Sequence, residues 1–164
     1  MGTLNLGGVP ALPEAYTVGA GWGLDLSAHR TRALSPGAVA AADLVLGFEQ
    51  MHVRQAVVDG SAASACTFTL GELVRLLGEL SEPVGGPTLV ERARLRVAAA
   101  HAARGGAAGR LDAADELSDP FGRRRSAYRA TGDALARLAF ALVARLFEVE
   151  RAATFPGSKR PDDG

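Results

Sequence analysis

Cysteine is nearly absent from the chain. One residue, Cys66, stands among 164, which excludes an internal disulfide and makes a reducing compartment, the cytoplasm, the natural setting. An excess of one charge is missing too. The 18 basic side chains balance 18 acidic ones, so nothing favours nucleic acid or an acidic membrane surface as a partner. No apolar run is long enough to span a bilayer, and the N-terminus lacks the basic start and apolar stretch of a secretory signal. Aromatic residues make up only 5%, so the core must be built from Ala, Leu and Val. The three histidines, His29, His52 and His101, lack metal-ligand spacing, and neither a metal nor another cofactor is expected. The glycine pairs at 7–8 and 85–86 do not sit between a strand and a helix with Lys or Arg in position. They read as turns rather than phosphate loops.

What is present describes an ordinary globular chain: 48% hydrophobic and 22% charged residues. The length fits one domain, expected over residues 1–150, followed by a disordered tail over 151–164. Residues 1–13 read as a loop rich in Gly and Pro. A short helix from Glu14 to Trp22 ends at Gly23, and a second starts at Pro36 and runs to about Ala42 with Ser35 as its cap. Leu44, Val45 and Leu46 lead to Phe48 and read as a strand covered on both faces. Residues 51–58 read as a helix, and a second strand is centred on Cys66 to Leu70. Leu73, Leu76, Leu77 and Leu80 mark one face of the helix that follows. Pro83 to Pro87 breaks the chain, a helix runs from Thr88 to about Arg104, and Gly105 to Gly109 is a flexible connection. A last helix, with Ser126 as N-cap, carries Leu135, Leu138, Leu142, Leu146 and Val149 at the spacing of one face. Strands alternating with helices predict an α/β fold with a parallel sheet, although two strands are few for one.

Just before the last helix lies LSDPFG, Leu117 to Gly122. Pro120 fixes its own φ and pushes Asp119 out of the α region, so a carboxylate is presented from a stiff loop. Upstream, in order, stand Gly2-Thr3, a Gly8–Pro10–Pro13 loop, GLDLSAHRTRAL (23–34), AADLVLGFEQMHVRQAV (41–57) and CTFTLGELVRLL (66–77). Taken in register, these segments resemble the low-molecular-weight protein tyrosine phosphatases, especially bacterial forms. The resemblance implies a flavodoxin-like parallel sheet with flanking helices and a phosphotyrosine phosphate-monoester hydrolase. Asp119 would be its general acid and His29 a residue ordering the phosphate loop. In that family a Cys-x5-Arg loop supplies the nucleophilic thiolate and holds the phosphoryl oxygens.

That loop has no counterpart in this sequence. The position six residues after Cys66 is Glu72, whose carboxylate would repel phosphate. The chain therefore reads as an N-terminally truncated member, without the first strand and most of the second, inactive as written. Cys66 itself reads as a small buried hydrophobe. Arg32 would make a structural ion pair, as in relatives, and Arg123, Arg124 and Arg125 a solvated basic face. In the intact family the partner would be a phosphotyrosine protein or a small phosphate ester. The alternative is a non-catalytic protein whose unpaired strand edge makes homo-oligomers.

Overall fold

The computed structural model describes residues 7–80, 85–104 and 112–149. Helix α1, Pro13–Gly21, begins with proline at its first position, where the missing N–H would have had no helical partner. Past its end, Gly23 takes φ +73°, the left-handed turn that glycine adopts without strain. Helix α2, Pro36–Ala40, starts at Pro36 as expected, although Ser35 makes no side-chain cap hydrogen bond. Strand β1, Val45–Gly47, helix α3, Gln50–Val58, and strand β2, Thr67–Thr69, form a βαβ unit. The strands run parallel, with Val45 opposite Thr67, Leu46 opposite Phe68 and Gly47 opposite Thr69.

Because side chains alternate across a strand, this register divides the core in two. On the Phe68 face, helix α4, Leu70–Glu79, helix α5, Leu89–Arg104, and helix α6, Arg125–Phe147, pack together. They enclose Phe68, Leu73, Leu76, Leu77, Val97, Ala100 and Leu146. On the other face Val39, Ala56 and Ala62 are buried, with Leu34, Val45 and Val57 packed against them. Two long-range ion pairs fix the outer helices: Arg94 to Asp43 at 2.9 Å, and Arg96 to Glu148 at 2.6 Å. Glu148 itself sits in the left-handed region, where α6 stops.

The α/β architecture with a parallel pair agrees with the sequence reading, and four details differ. Strand β1 is not covered on both faces: Leu46 is 39% exposed and Phe48 45% exposed. Helices α4, α5 and α6 lie over β2, leaving the same face open at β1. Cys66 belongs to a 3-10 turn, Ser64–Cys66, before the strand, and is partly rather than fully buried. Helix α6 begins at Arg125 with Arg124 in the cap position and no side-chain cap bond, so Ser126 lies inside the helix. The helix is set by the turn before it, which closes with the Arg123 N–H on Pro120 O at 2.9 Å. Val149 lies past the end of α6, which stops at Phe147. The expectations for Gly2-Thr3, for 105–109 and for the 151–164 tail fall outside the described residues. Among those described, no helix is long and apolar enough to cross a membrane.

Candidate acid loop

Parallel strands present all their C-terminal ends on one side, and in such sheets sites form there. Each strand here ends in a helix cap. Thr69 caps α4: its hydroxyl accepts from the Glu72 N–H at 3.2 Å, and the Glu72 carboxylate accepts from the Thr69 N–H at 3.4 Å. Glu49 caps α3 in the same reciprocal way, its own N–H donating to Nδ1 of His52 at 3.2 Å.

The segment from Asp112 to Asp119 is laid across both caps. Asp112 starts a 3-10 turn by accepting from the Ala114 N–H at 2.9 Å. The Thr69 hydroxyl then donates to the Asp115 carbonyl at 3.1 Å. The buried Asp115 carboxylate takes both Nε and Nη2 of Arg75, at 3.1 and 2.8 Å. That paired carboxylate raises the guanidinium pKa still further above its ordinary value. Gly71 makes the approach feasible, since a Cβ there would lie 2.5 Å from the Asp115 carbonyl oxygen. Crossing to β1, Glu116 accepts from the Gln50 N–H at 3.0 Å, and the Leu117 N–H donates to Phe48 O at 2.8 Å. Finally the Asp119 N–H donates to the Glu49 carboxylate at 3.4 Å.

Asp119 is thereby held beside the C-terminal end of β1, with its side chain exposed. Its Oδ1 accepts from the Phe121 N–H at 2.9 Å, an Asx turn that fixes the carboxyl direction. Oδ2 has no protein partner among the described residues. A carboxyl so placed can deliver a proton to a group bound at the mouth of the strands.

Other sequence candidates are not brought to this loop. His29 is exposed, and no hydrogen bond joins its ring to the loop among the described residues. Its neighbourhood is a polar turn in which the amide and then the hydroxyl of Ser27 lower the pKa of Asp25. Arg32 is exposed and makes no ion pair among the described residues. Cys66 stands at the opposite end of β2, its thiol on Ala63 O at 3.4 Å. With a rise of roughly 3.3 Å per residue, a three-residue strand separates it from the loop by about 10 Å. In the sequence Asp115 and Glu116 read only as part of an acidic patch with Asp112 and Asp119, and Arg75 and Glu49 carry no sign of their role. Only the Thr69-x-x-Glu72 pattern carried a local signal, that of a capping box. No three His, Cys, Asp or Glu side chains among the described residues group as a metal site.

The described residues thus form a mixed α/β unit: a two-stranded parallel ribbon flanked by helices, with a carboxylate-bearing loop laced over its C-terminal edge. No family model matches the sequence, and a search of curated proteins finds no match. Among solved structures it is similar to a crystal structure of the low-molecular-weight protein tyrosine phosphatase from T. tengcongensis, with a TM-score of 0.56 and 24% identity. The match covers 84% of this chain and 69% of that one. The fold is therefore of the low-molecular-weight tyrosine phosphatase type.

Proposed function

We propose that residues 1–150 form the proton-donor portion of a low-molecular-weight tyrosine phosphatase, with Asp119 as general acid. The observation that carries the reading is the bond from Leu117 N–H to Phe48 O at 2.8 Å, which seats the Asp-Pro-Phe turn at the mouth of the strands. In phosphotyrosine hydrolysis an acid there protonates the departing phenolate, whose pKa of about 10 otherwise makes it a poor leaving group. The attacking thiolate is the other half of that chemistry, and no Cys-x5-Arg occurs in these 164 residues. Hydrolysis of a phosphotyrosine protein or a small phosphate ester would require a strand and phosphate loop supplied from the N-terminal side. A cytoplasmic location, supported by the single thiol, belongs to the same reading, as does the absence of nucleic-acid and membrane partners.

The 164-residue chain should turn over p-nitrophenyl phosphate at background rate, unchanged by Asp119→Asn. Turnover that survives Cys66→Ser yet vanishes with Asp119→Asn would reveal another nucleophile and refute this assignment. Joined to a strand carrying Cys, five residues and Arg, these residues should hydrolyse an aryl phosphate, and Asp119→Asn should then remove most of that rate.

A second reading is favoured by one observation. Among the described strands β1 pairs with β2 alone, and Leu46 and Phe48 stand 39% and 45% exposed beside the free edge. Such an edge attracts another strand, and a second copy of the chain would supply it. Light scattering on a sizing column should then give a dimer or larger species. A concentration-independent monomer would eliminate the homo-oligomer.

A further inference from the structure

Four arginines elsewhere in the fold are paired with carboxylates, Arg75 with Asp115, Arg94 with Asp43, Arg96 with Glu148 and Arg104 with Glu72, whereas Arg30, Arg32, Arg54, Arg92, Arg137 and Arg145 make no ion pair among the described residues. Around the start of α6 unpaired arginines are gathered in one place. Arg123, Arg124, Arg125 and Arg129 are all exposed, and none makes an ion pair among the described residues. Two local effects oppose this placement, although Asp133 stands at the favourable i, i+4 spacing from Arg129. The first turn of α6 holds no acidic residue and no side-chain cap, so cations crowd the end of a helix that already bears partial positive charge. Arg125 and Arg129 repel each other at i, i+4. A chain with balanced charge overall has gathered an unfavourable positive cluster here, and such local conflicts are expected where a surface serves a partner.

The cluster also has shape. Gly122, Arg123, Arg124, Ser126, Ala127 and Ala130 line a depression of about 610 Å³. Its alanines are small enough to let a chain lie close, and the Ser126 hydroxyl is exposed for hydrogen bonding. Phe121, next along the chain, is 71% exposed and offers an apolar contact.

We propose that this surface docks an acidic polypeptide segment, one rich in Asp and Glu. The arginines are distributed along the helix start rather than converging on one point. Several separate single charges fit that distribution better than one phosphate dianion. Duplex nucleic acid fits less well, because its binders commonly engage roughly six to ten phosphates. The proposal is independent of the acid role of Asp119.

The test is anisotropy of a fluorescein-labelled octaglutamate peptide titrated with the 164-residue chain at low salt and at about 0.15 M. Binding is expected at low salt and should weaken as salt rises. Combined Arg123→Gln, Arg124→Gln and Arg125→Gln should reduce affinity roughly tenfold, as expected for three exposed ionic contacts. The same variant should melt no lower than the parent, because it relieves repulsion, which separates lost binding from lost folding. Arg94→Gln, elsewhere on the surface, should leave binding unchanged. Absence of binding, an undiminished affinity in the triple variant, or preference for inorganic phosphate or phosphatidylserine vesicles over the peptide would overturn the proposal.

Discussion

Arg104→Ala is expected to lower the unfolding free energy by about 3–5 kcal/mol, the range for removing one partner of a buried ion pair. Arg104 closes the end of α5 onto β2. Its Nε and Nη2 each lie 2.8 Å from the two oxygens of Glu72, and Nη2 also donates to Thr67 O at 2.8 Å. The guanidinium sits 3.9 Å from the centre of the Phe68 ring, which is fully buried. Truncation would leave the Glu72 carboxylate, 9% exposed, with only its long cap bond to the Thr69 N–H. Stacking on Phe68 would be lost as well, worth roughly 0.5–2 kcal/mol depending on desolvation. The loss exceeds that of an ordinary surface pair because water cannot replace the missing donors. Lysine would be a poor substitute, since one ammonium cannot engage both carboxylate oxygens and stack flat. Urea denaturation measures the difference directly; a loss below about 1 kcal/mol would place the pair in solvent instead.

Gly71→Ala is expected to release the acid loop from β2. The added methyl would meet the Asp115 backbone at 2.5 Å from its oxygen and 2.9 Å from its carbonyl carbon. These are main-chain atoms, already fixed by the Thr69 hydroxyl and by Arg75. Two effects compete. Alanine favours a helix interior over glycine by about 1 kcal/mol, and less in the first turn, where Gly71 lies. Overpacking costs typically 1–3 kcal/mol, and displacement of Asp115 would also strip its hydrogen bonds. The steric side wins, with a net loss of about 1–2 kcal/mol and a larger local effect on the loop. Calorimetry would detect the first, and exchange of the loop amides the second. A variant more stable than the parent would mean that Asp115 does not lie against α4.

The contrast between these two sites marks how far the sequence could be read. Helix α4 was legible because Leu73, Leu76 and Leu77 recur on one face, and the structure buries all three. The strands were legible as short apolar runs, which carry no information about which run the helices will cover. Hence β1 reads as covered on both faces, whereas Leu46 is 39% exposed. Ser126 outranks arginine as an N-cap by intrinsic preference. The Pro120–Arg123 turn nevertheless delivers the chain into the helix one residue earlier. Arg96, within α5, is 6% exposed, because Glu148, far along the chain, neutralises it.

The long-range bonds that seat Asp119 have no local signature beyond the Thr69-x-x-Glu72 cap. The seat depends on Arg75 with Asp115 and Glu49 with Asp119, pairs that are 40 and 70 residues apart. Neither periodicity nor capping rules reach across such separations. Resemblance to a phosphatase family singles out the Asp-Pro-Phe turn, and its anchors are visible only in the fold.

Amide hydrogen exchange at Leu117 tests that seating most directly. If the loop is laid across the strand ends, the Leu117 N–H, bonded to Phe48 O at 2.8 Å, should exchange as slowly as the amides at the start of α4. That protection should fall selectively in Gly71→Ala. Exchange at the rate of an unstructured peptide in the parent protein would contradict that seating, because Asp119, the proposed proton donor, would then have no fixed position.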